Sequence, residues 1–275
     1  MCYNVLEVIG LKCLNINMYR FIIPSLLFFA LLKSVTENHG LSLETAVLSA
    51  LIIIATSFLN SPKKHRLLPI IILTLVFTSN LMFIFNLKDG YSKNIFLELF
   101  SFIFLLALAG INIFFNQRRQ QKEKETEIKF PNLGSNLIKS VVLISVFLWA
   151  AGSYGLYLNL ELSIHLLMLI ILINIIFSTR CLLKINFASQ KIPAALWFYP
   201  FLFGLIMVEL VWAISFWPIE RLAVGAIILA NYYVFWNILE SRLKNSLNKK
   251  IIFSNILFLA IVIASLLFSS QWEIR

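Results

Sequence analysis

The sequence predicts an all-α, polytopic integral membrane protein. The chain has 275 residues, of which 60% are hydrophobic and only 13% charged, whereas a soluble domain carries about 25% charged residues. Several stretches reach the ~20 apolar residues that cross ~30 Å of hydrocarbon. They are apolar at every position, as in residues 166–173, whereas a membrane β-strand alternates apolar and polar residues. The predicted spans are therefore helices.

Nine apolar runs in the sequence predict about nine transmembrane helices. The first run is the weakest because Pro24 interrupts it, and whether it spans fully is left open. The runs cover residues 18–36, 42–60, 67–86, 95–115, 137–157, 162–179, 194–217, 221–240 and 251–270.

The basic residues divide unequally between alternate loops. Eighteen of the 23 Lys and Arg residues fall on the side of the N-terminus and five on the other side. Because cytoplasmic loops carry the excess of Lys and Arg, this predicts an N-terminus inside and a C-terminus outside. We expect a cell membrane location, most naturally a bacterial inner membrane. The net charge of +10 is explained by these loops, so no nucleic-acid partner is predicted.

The chain divides into four segments. Residues 1–17 read as an N-terminal extension that need not be native, and they lack a secretory cleavage site. Residues 18–115 form a first bundle of four helices, 116–136 a charged cytoplasmic loop, and 137–275 a second bundle of five. We expect the fourth helix to continue into the loop until Pro131 and Gly134 end it.

The usual motifs of catalysis and metal binding are missing from the sequence. The three cysteines are far apart, and the three histidines form no ligand pattern, so neither a metal site nor a cofactor is predicted. Residues 152–155 read Gly-Ser-Tyr-Gly, in which the serine is misplaced for an intramembrane protease. Small residues at this spacing instead predict a close helix contact. The balance leans away from an enzyme.

Glu209 is the main candidate for a functional residue. It lies in residues 202–216, where every other residue except Gly204 and Ser215 is apolar, at ~13 Å below the following turn. Asn231 and Tyr232 on the next helix are within reach. The carboxyl group would then either latch the two helices by a hydrogen bond or serve an ion, proton or ligand role, as intramembrane ionisable residues often do.

Other polar residues gather in the same half of the predicted membrane. Asn80, Glu98 and His165 lie late in the third run and early in the fourth and sixth runs. Together with Glu209 they would line an outward-open pocket for a small solute or lipid. The alternative is that Glu98 and His165 are interfacial residues at headgroup depth.

The region 197–272 resembles an uncharacterised multi-pass membrane family of bacteria, on the stretches 209–212 (Glu-Leu-Val-Trp), 216–218 (Phe-Trp-Pro) and 231–233 (Asn-Tyr-Tyr). The resemblance implies no activity. From the residues we rank a transporter-like or lipid-interacting carrier first, a non-catalytic scaffold or assembly subunit second, and a membrane-embedded transferase third. The lipid bilayer is the one certain partner of such a chain, and the oligomeric state is undetermined.

Overall fold

A computed structural model describes residues 26–30, 33, 67–84, 86–87, 90–123, 133–186, 194–217 and 219–269. Every regular element in these residues is helical. The seven helices are α1 (Leu67–Ile84), α2 (Gly90–Glu123), α3 (Leu133–Asn159), α4 (Ile164–Asn186), α5 (Tyr199–Ile214), α6 (Arg221–Leu243) and α7 (Lys249–Ser269), and a 3-10 turn (Ala194–Phe198) precedes α5.

All seven helices are long and apolar enough to cross a membrane. They correspond to the third through ninth predicted runs, and they indicate a membrane location. Most of the first predicted run, all of the second, and the extension 1–17 lie outside the described residues. The count of nine spans and the sidedness of the termini therefore stay predictions.

The main departures from the predicted boundaries occur around α2, α3 and α4. Helix α2 continues to Glu123, as expected of a helix that extends beyond its apolar span of residues 95–117. Gly134, however, does not end this helix: it lies in the first turn of α3. There it lets two backbones meet, because an added Cβ would be 2.5 Å from the Phe114 backbone nitrogen. Helix α4 runs seven residues beyond the predicted end and includes Arg180 and Lys184.

Helix α3 is the centre of the bundle and packs against α1, α2, α4 and α6. Its neighbours alternate in direction as successive membrane crossings should. Gly152 meets Met82 of α1, so those two helices are parallel, whereas Gly134 and Ile138 meet Phe114 and Gly110 of the antiparallel α2. Helices from both sides of the loop 116–136 thus contact one another.

The predicted close contact of small residues is confirmed. A Cβ on Gly152 would lie 2.7 Å from the Met82 carbonyl carbon, and one on Gly225 of α6 would lie 2.9 Å from the Ala151 side chain. Only residues without large side chains allow such distances between helices. Residues 151 and 152 therefore bring α6 and α1 against α3 at neighbouring positions.

The described part of the N-terminal region also packs on the bundle. Phe28 is buried, stacks on Phe104 with ring centroids 4.0 Å apart, and meets Phe77 edge-on at 5.7 Å. This aromatic contact joins residues 26–30 to α1 and α2.

Candidate functional site

Glu209 lies on the outer surface of the described bundle, on the face of α5 that points away from the other described helices. The buried residues of this helix include Phe203, Met207 and Val211. At 100° per residue, position 209 is about 200° from position 207 around the helix, which turns Glu209 to the opposite side. Its side chain is exposed.

Glu209 stands in the middle of an apolar stripe, which we call the α5 outer face. The members are spaced by three or four residues, the repeat that aligns one side of a helix. They are Phe201, Leu205, Glu209, Trp212 and Phe216, all exposed. Trp212 and Phe216 also contact each other edge-on, with ring centroids 5.2 Å apart.

The expected hydrogen bond from Glu209 to α6 is not formed. Asn231 donates from Nδ2 to the Ile227 carbonyl oxygen at 2.8 Å. The Tyr232 hydroxyl is fully buried and pairs with Thr179 Oγ1 of α4 at 3.2 Å. Both groups face the interior, and Glu209 makes no hydrogen bond or ion pair within the described part of the chain. The three residues are therefore not brought together.

The remaining predicted site residues are also separate. Asn80 is fully buried in α1, and neither its Oδ1 nor its Nδ2 has a hydrogen-bond partner in the described residues. Glu98 and His165 are exposed near the beginnings of α2 and α4. An exposed position near a helix end is what the interfacial alternative describes.

A polar network that sequence reasoning missed joins α1, α3 and α6 at one end. Asn86 Nδ2 donates to the carbonyl oxygens of Met82 and Gly152, both at 2.7 Å. Its Oδ1 accepts from Asn159 Nδ2 at 3.0 Å. Arg221 donates through Nη1 to the Asn86 carbonyl oxygen. This carbonyl lies just past the C-terminal end of α1, where a positive charge interacts favourably with the helix dipole. Gly155 is the residue in the sequence that relates to this network, since an added Cβ there would lie 2.5 Å from Asn86 Oδ1.

The opposite end, which we call the basic end, is where α3, α5 and α7 begin. Glu240 of α6 accepts from Lys139 of α3 at 2.7 Å and from Lys244 at 2.6 Å through Oε1. Its Oε2 accepts from Trp236 Nε1 at 3.0 Å. Lys139 and Glu240 are mostly shielded from solvent, with 19% and 15% of their side chains exposed, whereas 63% of the Lys244 side chain is exposed. This pair therefore fixes α6 against α3 more than the Lys244 pair does.

These features describe a bundle held together by internal polar contacts, with Glu209 exposed within an otherwise apolar helix. Among the described residues no group of three or more His, Cys, Asp or Glu side chains is placed to hold a metal ion.

The regular elements of the described residues are all helices, and seven of these segments are candidate membrane spans. Residues 138–269 match a family described as "Protein of unknown function (DUF5656)". The match covers just under half of the chain, from α3 to the end of α7, and agrees with the resemblance to an uncharacterised family found over residues 197–272. No curated protein matches the chain, and no solved structure does.

Proposed function

We propose that this chain is a non-catalytic subunit of a membrane assembly and that it associates laterally with a second copy of itself through the α5 outer face. The observation that carries the proposal is the exposure of Glu209 in the middle of that face. It lies ten residues after α5 begins and five before it ends, which is ~15 Å and ~8 Å along the helix axis.

An acidic residue facing lipid at this depth is costly. Insertion of an acidic side chain at a helix centre costs about 2.5 to 3.5 kcal/mol, and Glu209 bears part of that cost because it lies ~8 Å from the nearer end of α5. The usual relief is a polar partner in the bundle interior. No described side chain supplies that relief, because Asn231 and Tyr232 are already bonded elsewhere, and we assign it to another molecule.

Symmetry favours a second copy as that molecule. Two copies inserted in the same direction are related by a twofold axis along the membrane normal, so equivalent residues lie at the same depth and those next to the axis meet each other. Glu209 would then face Glu209 across the axis. Two carboxyl groups that share a proton bond each other, since one donates and the other accepts, and polar side chains of this kind drive helix association in lipid.

The neighbours of Glu209 suit a packed interface. Leu205 and Trp212 lie one turn to either side and are exposed. Paired with their equivalents, they would cover the carboxyl groups from lipid above and below. A carrier role would instead need a polar route to Glu209, and no described polar side chain bonds it, so that role has no observation in its favour.

The test measures self-association in lipid vesicles by single-molecule photobleaching of the labelled protein at low protein-to-lipid ratio. We expect wild type to form dimers. Glu209→Gln should keep them, because an amide also both donates and accepts. Glu209→Leu should lower the dimer association constant by roughly threefold to tenfold. This range corresponds to the loss of ~0.6 to 1.4 kcal/mol of interhelical hydrogen bonding.

Disulfide crosslinking locates the interface. In a background lacking the three native cysteines, Leu205→Cys should crosslink between copies, whereas Leu257→Cys, an equally apolar exposed position on α7, should not. Monomeric wild type would refute the proposal, as would equal crosslinking at both positions. Crosslinking of Leu205→Cys to a different protein would refute the choice of a second copy.

A further inference from the structure

Arg180 differs from Lys139 and Lys244 at the basic end. Lys139 and Lys244 are paired with Glu240, whereas Arg180 forms no ion pair or hydrogen bond within the described residues. It is exposed on the outward side of α4. Its guanidinium group therefore keeps its N–H donors available to a ligand.

The Arg180 side chain is held in place by an aromatic ring from the next element. Its guanidinium carbon lies 5.3 Å from the centroid of the Trp197 ring, within the range of a cation–π contact. Trp197 belongs to the 3-10 turn that leads into α5, and it is 48% exposed. The contact crosses the junction between α4 and α5, and it leaves the edge of the guanidinium group open.

The depth of this pair matches the boundary between headgroups and hydrocarbon. Arg180 is six residues before the end of α4, or ~9 Å along the axis, and a tryptophan at such a junction is typical of the membrane interface. Lys184 lies one turn nearer the end on the same side. Phe177 and Ile173 are exposed one and two turns deeper, so an apolar track continues from the guanidinium into the hydrocarbon.

We infer that Arg180 and Trp197 form a binding site for the phosphate headgroup of an anionic phospholipid in the leaflet at the basic end. The guanidinium group binds phosphate oxygens with two parallel hydrogen bonds, a geometry that lysine does not match. Lys184 adds positive charge, and one acyl chain lies along Phe177 and Ile173. The site is separate from the α5 outer face and does not depend on self-association.

Lipid binding is measured by native mass spectrometry on the delipidated full chain in detergent. The probes are phosphatidylglycerol and phosphatidylcholine with the same acyl chains. We expect wild type to bind phosphatidylglycerol more tightly, and Arg180→Gln to weaken that binding about fivefold, the effect of one basic residue near an anionic lipid. Binding of phosphatidylcholine should change less, because its choline group neutralises the charge of the same phosphate.

Arg242→Gln is the matched control, because Arg242 is an exposed arginine at the same end without an aromatic contact. It should change phosphatidylglycerol binding less than twofold. Trp197→Phe should keep most of the affinity and Trp197→Ala should lose part of it, with a melting curve confirming that each variant is folded. Equal losses in the two arginine variants, or equal binding of both lipids by wild type, would overturn the inference.

Discussion

Asn80 lies in α1 and Asn86 lies just past the end of that helix, six residues further along the chain. Both are almost fully buried, yet the structure gives them opposite energetic roles. Asn86 makes three side-chain hydrogen bonds, to Met82, Gly152 and Asn159. Neither amide atom of Asn80 has a partner among the described residues. Replacing each by alanine removes the same atoms, so the difference between the variants isolates the hydrogen bonds.

We expect Asn86→Ala to destabilise the bundle and Asn80→Ala to be neutral or stabilising. An interhelical hydrogen bond in a membrane protein contributes about 0.6 kcal/mol on average, so the two bonds to α3 give roughly 1.2 kcal/mol. Removing an unpartnered buried amide recovers about 1 to 3 kcal/mol of desolvation, partly offset by a small cavity. The two free energies of unfolding should differ by ~2 to 4 kcal/mol.

Unfolding of both variants in mixed micelles with increasing dodecyl sulfate, followed by tryptophan fluorescence, measures this difference. Asn159→Ala serves as a partial control, because it removes only the bond to Asn86 Oδ1 and should cost about 0.6 kcal/mol. Equal destabilisation of Asn80→Ala and Asn86→Ala would refute the reasoning. That result would mean that Asn80 contributes bonds of its own.

Three further predictions follow from close contacts and charge. Gly152→Val should destabilise the bundle by ~3 kcal/mol or more, because its Cβ would meet backbone atoms at 2.7 and 2.8 Å. Gly110→Ala should cost much less, because the atoms nearest to its Cβ would be 3.2 Å away. Thermal melting in detergent compares the two variants. Glu240→Gln should destabilise by roughly 1 to 3 kcal/mol, and in a double-mutant cycle with Lys139→Met the losses should be clearly less than additive, while additive losses would show that the ion pair is not coupled. Cysteines at the exposed positions Glu161 and Ser246 should react with an impermeant maleimide from opposite sides, Glu161 from outside; labelling of both from one side would contradict the alternation of the helices.

Much of the helix pattern is predictable because each span must satisfy its backbone internally and must be apolar along its length. The contact of Gly152 with α1 is also predictable, since small residues mark close helix approaches. The end of α4 is not predictable in the same way. The predicted run stops at residue 179 because Arg180 and Lys184 are charged, although basic residues are stable in the last turns of a helix and their side chains extend toward the interface.

The direction in which Glu209 points is the main feature that the sequence leaves undetermined. In water an amphipathic stripe reveals the buried side of a helix. Helix α5 is apolar on every side because both the bundle interior and the lipid are apolar, so depth is predictable but rotation is not. Similarly, the partners of Asn86 on α3 are 66 and 73 residues away, and a single sequence does not show which distant residues pair.

Helix α7 has a consequence for the order of assembly. Almost none of its span is buried, and it packs chiefly on α6, where Asn237 Nδ2 donates to Asn255 Oδ1 at 2.9 Å and Tyr233 contacts Phe258 with ring centroids 6.0 Å apart. Helices α1 to α6 therefore bury their shared interior without it. We therefore expect docking of α7 to be the most easily reversed step of assembly, and a separately expressed α7 should be able to join a bundle that ends at residue 246.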